Sequence, residues 1–394
     1  MSENISKPKP KRLLALDILR GITIAGMILV NNPGSWGHIY APLEHAEWNG
    51  LTPTDLVFPF FMFIMGVSTY FSLRKYEFRH SWAAVFKILR RTVVIFLIGM
   101  FIAWLGLFLR RIFNEYTFWE AVLNFDHIRI LGVMPRLAIC YGVGACLGLW
   151  IRHDRLPWLI AVLLVAYTVI LLAGHGFEWA DHNVISVVDS RILGPDHMYH
   201  DTVGGVTLHF DPEGLLSTLP SICHMLIGFL VGGMIVRVKD NYRRITNLFI
   251  IGTILTFSGF LLSYGLPVNK KIWSPTFVMT TCGLAASFLG LLIWIIDIKG
   301  YRRWCTFFEA FGINPLFMYC LGAVLSLLMG LVRIPCAAAE AGYTTAKAWI
   351  YQDVLMPVCC SDATLASLVF ALAFVAFNWI FGFILYKKHI YIKI

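Results

Sequence analysis

Apolar stretches about as long as a bilayer core is thick recur along this chain of 394 residues. A helix needs roughly 20 consecutive apolar residues to cross the ~30 Å hydrocarbon core of a membrane. We place such spans at 13–34, 53–73, 89–109, 130–151, 156–173, 215–236, 245–264, 276–297, 307–331 and 365–385. The pattern predicts an all-α, polytopic membrane protein with about ten transmembrane helices.

The composition agrees with this fold class. Hydrophobic residues make up 58% of the chain and charged residues 14%, with a mean hydropathy of +0.71, whereas soluble domains are about one quarter charged. The net charge of +9 does not by itself indicate nucleic acid, because lysine and arginine collect in the cytoplasmic loops of membrane proteins. We therefore expect membrane lipid around the chain and no nucleic-acid partner.

The basic residues also predict an orientation. An even number of spans puts both termini on one side, and 22 of the 32 lysines and arginines lie on that side, against nine on the other and Arg20 inside the first span. Since positive loops stay inside, both termini are expected in the cytoplasm. Residues 1–12 are then a disordered, basic cytoplasmic tail, and 13–394 form a single transmembrane domain.

Three long polar segments are expected on the outer face: 34–52, 174–214 and 332–364. The second is rich in His, Asp and Gly and is too long for a passive link, which favours a lid or a substrate surface. The third carries Cys336, Cys359 and Cys360 on the oxidising side of the membrane. A disulfide from Cys336 to Cys359 or Cys360 and three free thiols both remain open.

The link between the first two spans is the most polar and aromatic of the short connections. It contains Glu44, His45, Glu47, Trp48 and Asn49, and Asp55 follows at the start of the second span. Polar groups gathered at the mouth of two membrane spans indicate a site rather than a connector.

His45 is the best general-base candidate in this link, because an unperturbed imidazole is largely neutral at pH 7 and can accept a proton. Glu44 and Glu47 are placed to orient it. The competing interpretation is an ordinary loop histidine, since His38 and the five histidines of 174–214 offer the same chemistry on the same side. No metal-ligand spacing, such as CxxC or HExxH, is present, so no metal is expected.

Three predicted helix starts on the outer face carry a capping residue followed by proline: Thr52–Pro53, Asp211–Pro212 and Ser274–Pro275. Asp55 lies three residues after Thr52, as in a capping box. These features are either ordinary helix-start chemistry or, if all three ends meet, a positive site for the oxyanion of an acyl transfer.

Charged residues also occur inside the predicted spans, where a charge near mid-membrane costs ~2.5–3.5 kcal/mol on insertion scales. Asp17 and Arg20 are one helical turn apart, so they either pair or contact a polar ligand. Arg136, which follows Pro135 in another span, has the same two interpretations. Asn31 ends an apolar run and can simply hydrogen-bond a neighbouring helix.

Several blocks of the chain resemble those of a known family. LDILRGITIAGMILVNN and LEHAEWNGLTPTDLVFPFFMFIMG are followed by FDHIRILGVMPRL, RILGPDHMYH, FDPEGLLSTLPSI, PVNKKIWSPTFVMTT and FFEAFGINPLFMY. In this order they are similar to the heparan-α-glucosaminide N-acetyltransferase family over roughly residues 13–330. The animal lysosomal members carry an extra luminal domain and span before this region, so this chain resembles a bacterial relative. That resemblance implies a multi-pass protein of the cell inner membrane and a homodimer.

The resemblance implies an activity as well. The family moves an acetyl group from cytosolic acetyl-CoA across a membrane to the amine of a glucosamine on the far side. It implies that His45 is the catalytic histidine and that Asn31 supports it, for instance by a hydrogen bond to the oxyanion. Trp48, Asn49 and Asp55 match family positions and are candidates for contacts with the substrate.

Other residues are assigned by their position relative to the two substrates. Basic side chains would hold the phosphates of acetyl-CoA, and Arg20 and Arg136 are the candidates because they lie in family-like blocks at membrane depth. On the outer face, the carboxylates of Asp196, Asp211 and Glu213 are candidates for a sugar hydroxyl or ammonium group of the amino-sugar acceptor.

Alternatives remain open at this point. His45 can act as a base for direct transfer or can itself be acetylated first, and direct transfer needs fewer groups. An O-acyltransferase of an envelope polysaccharide would share the topology, the histidine and the acyl donor. A sugar transporter is also compatible with polar residues in spans, although no internal repeat is visible. The exact sugar acceptor does not follow from the sequence.

Overall fold

The computed structural model describes residues 13–114, 116–203, 205–336 and 342–392. The predicted basic tail at 1–12 lies outside these ranges. The longer helices are α1 (Leu14–Val30), α2 (Val57–Leu73), α3 (Trp82–Phe113), α4 (Phe118–Val122), α5 (Val133–Trp150), α6 (Leu156–Ala173), α7 (Val184–Leu193), α8 (Thr218–Arg237), α9 (Asn241–Leu262), α10 (Pro275–Leu292), α11 (Cys305–Ile313), α12 (Pro315–Leu331), α13 (Ala346–Trp349), α14 (Met356–Val358) and α15 (Ala363–Lys387).

The remaining regular structure is short. Single 3₁₀ turns occupy Ala41–Leu43, Thr54–Leu56, Arg74–Tyr76 and Pro195–His197, and π-helical turns occupy Ile293–Ile298 and Ile350–Leu355. Within the described residues the only sheets are two antiparallel hairpins, β1 (Asp201–Val203) with β2 (Val206–Leu208) and β3 (Arg333–Pro335) with β4 (Tyr343–Thr345). The all-α prediction is confirmed.

Each predicted span falls on one of these helices, or on the pair α11–α12. In the described chain, eight helices are long and apolar enough to cross a membrane, and the α11–α12 pair, bent by 86°, brings the number to as many as nine. Helix α1 has only 17 residues, which rise about 26 Å at 1.5 Å per residue, whereas α2 is continued by its flanking 3₁₀ turns into one helix over Thr54–Tyr76. A multi-pass membrane protein is confirmed, whereas the tenth span and the cytoplasmic termini stay predictions.

The break between α11 and α12 has a local cause. Pro315 lacks an amide hydrogen and disfavours a helical conformation at the residue before it, and Asn314 has φ −122° and ψ 57°. The Asn314 side chain donates to the Ile390 carbonyl at 2.9 Å and accepts from the Ile392 amide at 2.8 Å. The bend is therefore fastened to the end of the described chain.

The helices separate into an interior group and a peripheral group. Most side chains of α2, α5, α8 and α10 are buried, whereas few of those of α3, α6 and α9 are. Apolar side chains such as Leu97, Phe101 and Phe257 point outward, as expected for surfaces that face lipid tails. The interior helices hold the elements of the site described below.

Glycines set the closest crossing in the interior, between α2 and α8. A Cβ on Gly66 would lie 2.0 Å from the Met225 carbonyl oxygen, and one on Gly228 would lie 2.2 Å from the Phe63 carbonyl oxygen. Small residues allow such backbone contact between membrane helices. Residue 66 is near the middle of α2, so this crossing positions the helix that begins beside His45.

The segment 174–214, of which the structure describes all but residue 204, folds into a small cap with its own core. It contains α7 and the β1–β2 hairpin, and Phe210 and Ile185 pack with Tyr167 of α6 and Ile272 of the loop before α10. Because these apolar contacts connect the segment to two membrane helices, it is a structured surface rather than a flexible link. All nine cysteines lie in the described part of the chain and all are free thiols, so the disulfide alternative for 332–364 is not observed.

Candidate functional site

The segment around His45 is closed by hydrogen bonds between its two ends. The Thr52 hydroxyl donates to the Glu44 carbonyl at 2.7 Å, and the Thr52 amide donates to Asp55 Oδ2 at 3.1 Å. Asp55 belongs to the 3₁₀ turn Thr54–Leu56 that leads into α2. The segment thus returns His45 to the mouth of the interior helix group.

Asp55 is the anchor of this arrangement. Its side chain is 1% exposed, and Oδ2 accepts hydrogen bonds from the Ala46 amide at 3.0 Å and from the Thr52 hydroxyl at 3.0 Å as well as the amide. Oδ1 contacts His45 Nδ1 at 2.7 Å and Lys270 Nζ at 3.2 Å. A buried carboxylate with this many donors is held in one place.

The ring of His45 lies between Asp55 and Lys270. Its Nδ1 is 2.7 Å from Asp55 Oδ1 and 2.9 Å from Lys270 Nζ, and the contact with Asp55 is a hydrogen bond in the tautomer that carries hydrogen on Nδ1, because a carboxylate oxygen only accepts. In that tautomer Nε2 holds the lone pair, with Lys270 Nζ 3.4 Å away, and 41% of the side chain is exposed. A histidine held this way by a carboxylate is arranged to accept a proton from a substrate.

The residue that orients His45 is therefore Asp55. Neither Glu44 nor Glu47, the residues suggested by the sequence, makes a hydrogen bond to His45 within the described structure. The carboxylate ten residues away does so because the 3₁₀ turn brings it back toward the loop. Asp55 is also too buried for a sugar contact, so the geometry replaces its predicted substrate role with a positioning role.

Lys270 is the third member of the site, and the sequence reading did not select it. Its Nζ lies 2.9 Å from His45 Nδ1 and 3.4 Å from Nε2, beside Asp55. Burial lowers the pKa of Lys270, although Asp55 opposes this shift. A signal existed in the sequence, since Lys270 and Lys271 lie in a family-like block on the face where basic residues are few.

The loop of Lys270 is fastened to the loop of His45. Buried Asn269 donates from Nδ2 to Asn49 Oδ1 at 3.1 Å, and the Gly50 amide donates to the Val268 carbonyl at 2.8 Å. The predicted substrate candidate Asn49 therefore joins two loops. We infer that these bonds keep Lys270 and His45 at a constant separation.

Trp48 supports the same region from the outer side. Its indole Nε1 donates to the Phe177 carbonyl at 2.9 Å, and its ring stacks on Trp179 at 5.2 Å with an angle of 7° between the planes. The edge of Phe210 lies 5.4 Å away. Trp48, another substrate candidate, is the contact through which the cap holds the His45 segment.

Asp211 and Glu213 share an arginine that the sequence reading did not select. Arg129 donates to Asp211 Oδ2 at 2.9 Å and Oδ1 at 2.5 Å, and to Glu213 Oε2 at 2.6 Å. Burial opposes the charge of Arg129, but Glu213 and Asp211 outweigh it and raise the pKa of its guanidinium. Asp211 also accepts from the Tyr199 amide and is fully buried, which speaks against a direct sugar contact.

The remaining outer carboxylate is differently placed. Asp196 is 62% exposed and lies 3.3 Å from His127, which is itself exposed. It remains a prediction as a sugar contact. Glu213 is 15% exposed, and burial tends to raise its pKa but Arg129 and Arg136 lower it, so its carboxylate is charged next to the site.

The two candidate arginines for acetyl-CoA are both engaged within the protein. Arg20 donates to Asp17 at 3.2 Å, to the Gly312 carbonyl at 3.2 Å and to Ser68 Oγ at 2.9 Å. The pairing interpretation for Asp17 and Arg20 is confirmed. These bonds connect α1, α2 and α11, so Arg20 has a structural role whether or not it also contacts a phosphate.

Arg136 is the second candidate. It is fully buried one turn into α5, on the side of the cap, where Nη2 donates to the Gly214 carbonyl at 3.1 Å and to Ser217 Oγ. The guanidinium lies 5.2 Å from the ring of Trp273, and within the described structure its Nε and Nη1 have no hydrogen-bond partner. The guanidinium of Arg136 therefore lies beside the cap, and its contact with acetyl-CoA stays a prediction.

Asn31 ends α1 as its C-terminal cap and is exposed. Among the described residues its side chain makes no hydrogen bond, and none connects it to His45. The role of Asn31 at an oxyanion therefore stays a prediction.

Two of the three proposed helix starts are observed. Ser274 caps α10 and accepts from the Phe277 amide at 3.2 Å, with Pro275 at the first position. Thr52–Pro53 directly precedes the helix Thr54–Tyr76, and the Thr52 amide donates to Asp55 Oδ2 at 3.1 Å, as in a capping box. Asp211 precedes α8 by seven residues and does not start that helix. The predicted site with three converging helix ends is therefore not formed. The charged groups beside His45 are instead the side chains of Asp55 and Lys270.

Other histidines do not reproduce the environment of His45. In the described chain the carboxylates that contact the histidines at 127, 175, 182 and 209 are all more than half exposed. His38 contacts only Ser35 Oγ, at 3.3 Å. The buried carboxylate distinguishes His45 from the histidines that compete with it in the sequence.

Comparison with known proteins adds the following findings. No family model matches the chain. It is 29% identical over 367 residues, 79% of its length, to heparan-alpha-glucosaminide N-acetyltransferase of Homo sapiens, and 28% identical over 365 residues, 78% of its length, to that of Mus musculus. The chain spans about half the length of these curated relatives, 52% and 53% respectively. The resemblance inferred from the ordered blocks is confirmed.

Proposed function

We propose that this protein is a transmembrane N-acetyltransferase that moves acetyl from cytosolic acetyl-CoA to the amine of a glucosamine-type sugar on the outer face. The observation that carries the proposal is the contact of the half-exposed His45 ring with buried Asp55, in a chain similar to named N-acetyltransferases. The multi-pass architecture suits a reaction whose donor and acceptor lie on opposite sides, because acetyl-CoA carries phosphates that cannot enter lipid.

His45 acts as the general base in this proposal. The amine nitrogen attacks the thioester carbonyl while Nε2 takes its proton, so that a C–N bond forms, the C–S bond breaks and the thiolate of CoA leaves. Asp55 stabilises the imidazolium that results, since its carboxylate already accepts from Nδ1 at 2.7 Å. General-base catalysis of this kind contributes about 10²–10⁴-fold in rate.

Lys270 stabilises the negative charge that develops on the substrate during the transfer. Its ammonium lies between the carboxylate of Asp55 and the ring of His45, and a fixed cation there stabilises an oxyanion or a thiolate better than water does. Because burial lowers its pKa, it is also a stronger proton donor to the leaving sulfur. The sequence candidate for the oxyanion, Asn31, is the alternative donor.

The donor enters from the basic inner surface. The pantetheine arm reaches between the interior helices toward His45 while lysines and arginines on the cytoplasmic side hold the phosphates. Arg20 is a candidate among them. Arg136 is the second candidate, on the cap side, where its buried guanidinium lies near Glu213 and the acceptor. Residence in the cell inner membrane and a homodimer belong to the same proposal.

An acetyl-transfer assay on the purified protein in detergent tests this function. We expect radioactive acetyl from acetyl-CoA to appear on glucosamine and not on N-acetylglucosamine, whose amine is already blocked. Equal transfer to both sugars would show that a hydroxyl is the acceptor and would favour an O-acyltransferase. No transfer to any amino sugar, in a protein that elutes as a single folded species, would overturn the proposal.

The same preparation separates direct transfer from a covalent route. Incubation with acetyl-CoA and no acceptor should leave His45 unmodified by mass spectrometry, because the base only moves a proton. Accumulation of an acetylated His45 peptide would instead establish an acetyl-enzyme intermediate.

A further inference from the structure

A second histidine–carboxylate cluster lies on the cap, in the turn between α6 and α7. His175 Nδ1 is 2.8 Å from Glu178 Oε1, and His182 Nε2 is 2.7 Å from Glu178 Oε2. The two imidazole rings are 5.6 Å apart. One potential ligand atom from each of the three residues can be chosen so that all three atoms lie within 4.8 Å of one another.

This spacing matches what a transition metal requires. In a tetrahedral zinc site the ligand atoms lie ~2.0–2.2 Å from the metal and therefore about 3.3 Å from one another. Exposed side chains at a turn reach that separation by small rotations from a set already within 4.8 Å. Imidazole nitrogen with one carboxylate suits zinc and its neighbours in the series, whereas magnesium and calcium prefer oxygen ligands.

The backbone under the cluster is held in place. Asn183 is fully buried, and its Nδ2 donates to the Gly176 carbonyl at 2.9 Å and to the Glu178 carbonyl at 2.7 Å. Its Oδ1 accepts from the Ile185 amide at 2.9 Å and so caps α7. Outer hydrogen bonds of this type fix the direction of metal ligands.

The ligand side chains face solvent. The side chains of His175, Glu178 and His182 are 65%, 55% and 61% exposed. An ion can therefore reach them directly, and a water molecule can complete the fourth position.

We propose that His175, Glu178 and His182 bind one divalent transition-metal ion, for which Zn²⁺ is the best match, and that the ion stiffens the turn that supports Trp48. The sequence predicts no metal because it has no CxxC or HExxH spacing, and this inference replaces that expectation. Binding needs no change in net protonation if both rings are neutral, because the Nδ1 hydrogen of His175 moves to Nε2 and that of His182 from Nε2 to Nδ1.

The turn connects the metal to the His45 segment. Phe177 and Trp179, both between the ligands in sequence, provide the carbonyl and the stacked ring that hold Trp48. Lys271, the neighbour of Lys270, also lies 3.9 Å over the ring of Trp179. Only the expected influence on turnover rests on the proposed function; the metal site itself does not.

Calorimetric titration of ZnCl₂ into metal-free, tag-free protein in detergent tests the site. We expect one ion per chain and at least tenfold weaker binding in the double variant His175→Ala/His182→Ala. The matched control is His200→Ala/His209→Ala, because these exposed histidines belong to the same segment and their rings also touch, at 5.0 Å. The control should bind as wild type does. Titration with MgCl₂ should give no binding.

Hydrogen exchange adds a readout that is independent of catalysis. Zn²⁺ should slow amide exchange at 174–183 and at 46–50 in wild type and in the control, but not in the His175→Ala/His182→Ala protein. Absence of Zn²⁺ binding by wild type, or equal binding by both double variants, would overturn the proposal. Because acetyl-CoA is absent from these measurements, a failure of the transferase assay leaves their outcome unaffected.

Discussion

Two histidine–carboxylate contacts of the same length occur in loops between the helices, and they differ in their surroundings. His45 and the cap histidine His182 each lie 2.7 Å from a carboxylate oxygen. Asp55 is buried and receives three further hydrogen bonds, whereas Glu178 is half exposed and divides its two oxygens between two rings. Burial and anchoring, rather than distance, decide whether such a contact orients one base or offers a set of metal ligands.

The difference in burial also predicts that the two contacts contribute differently to the free energy of unfolding. Exposed ion pairs are worth about 0–1 kcal/mol because water and salt compete for both partners. Loss of one partner from a buried, hydrogen-bonded charge costs more, since the other group stays desolvated. Substitutions at the two places should therefore differ in their effects on both folding and turnover.

The largest expected effect is on turnover in His45→Ala. Acetyl transfer should fall by about 10²–10⁴-fold, because the proton acceptor is removed while the fold is retained. Steady-state kinetics with acetyl-CoA and glucosamine measure the change. The control His38→Ala removes an exposed histidine from the same segment and should leave the rate within about twofold. Normal turnover in His45→Ala would sink the assignment of the base.

Asp55→Asn should have the next largest effect and should move two readouts. Asn can still accept one hydrogen bond, but its amide group faces donors from Ala46 or Thr52, so the protein should lose about 1–3 kcal/mol of stability. The rate should fall by about 10–10²-fold because the imidazolium loses its charged partner.

The matched substitution on the cap is Glu178→Gln. It should leave the free energy of unfolding nearly unchanged, since Glu178 is exposed. Thermal unfolding in detergent and steady-state kinetics supply both comparisons. If Asp55→Asn and Glu178→Gln changed stability equally, burial would not be the deciding difference.

The third prediction tests whether the packing of the interior helices positions the His45 site but not the proposed metal site on the cap. Gly228→Ala places a Cβ 2.2 Å from the Phe63 carbonyl oxygen and should cost about 1–3 kcal/mol by forcing α2 and α8 apart. Turnover should fall with it, because Asp55 precedes α2, while Zn²⁺ affinity at the cap should stay within about twofold.

Gly106→Ala is the control for that substitution. Nothing lies within 4 Å of the added Cβ, so replacing a helical glycine should be neutral or stabilise by up to about 1 kcal/mol. Loss of Zn²⁺ affinity in Gly228→Ala but not in Gly106→Ala would show that the cap depends on the interior crossing.

The last expected effect is a dependence of stability on pH at Asp189 of α7, within the cap. Burial raises the pKa of Asp189 from 3.8 to about 6, so the folded protein favours the neutral carboxyl. Its contribution to stability is therefore best below pH 4 and declines as the pH rises to about 6, by at most about 3 kcal/mol. Glu178 has the opposite sign, because its lowered pKa favours the charged form.

Asp189→Asn separates these two carboxylates. It keeps an oxygen that can accept from the Leu215 and Leu216 amides, as Oδ1 does at 3.0 and 3.1 Å. The variant should raise the unfolding temperature at pH 8 more than at pH 4.5. An equal effect at both values would contradict a raised pKa for Asp189.

The membrane architecture could be predicted from local sequence alone. Each run near 365–385 or 156–173 must be a helix, because a backbone in lipid has to satisfy its own hydrogen bonds. The crossing of α2 and α8 was only weakly predictable, since a glycine in a helix does not indicate which other helix packs against it. The total number of spans depends on whether α1 crosses the membrane, and its 17 residues are too few for its length alone to decide this.

The chemistry of the site was predictable only in part. By itself, the sequence determined the class of protein, the helical spans, and His45 as a candidate base whose segment resembles a family of acetyltransferases. Only the tertiary structure decided that Asp55 and Lys270 surround His45, that Arg129 occupies Asp211 and Glu213, and that Arg136 faces the cap. The physical reason is that apolar length is a local property of the chain, whereas the partner of a buried charge is whichever opposite group the fold brings within about 3 Å.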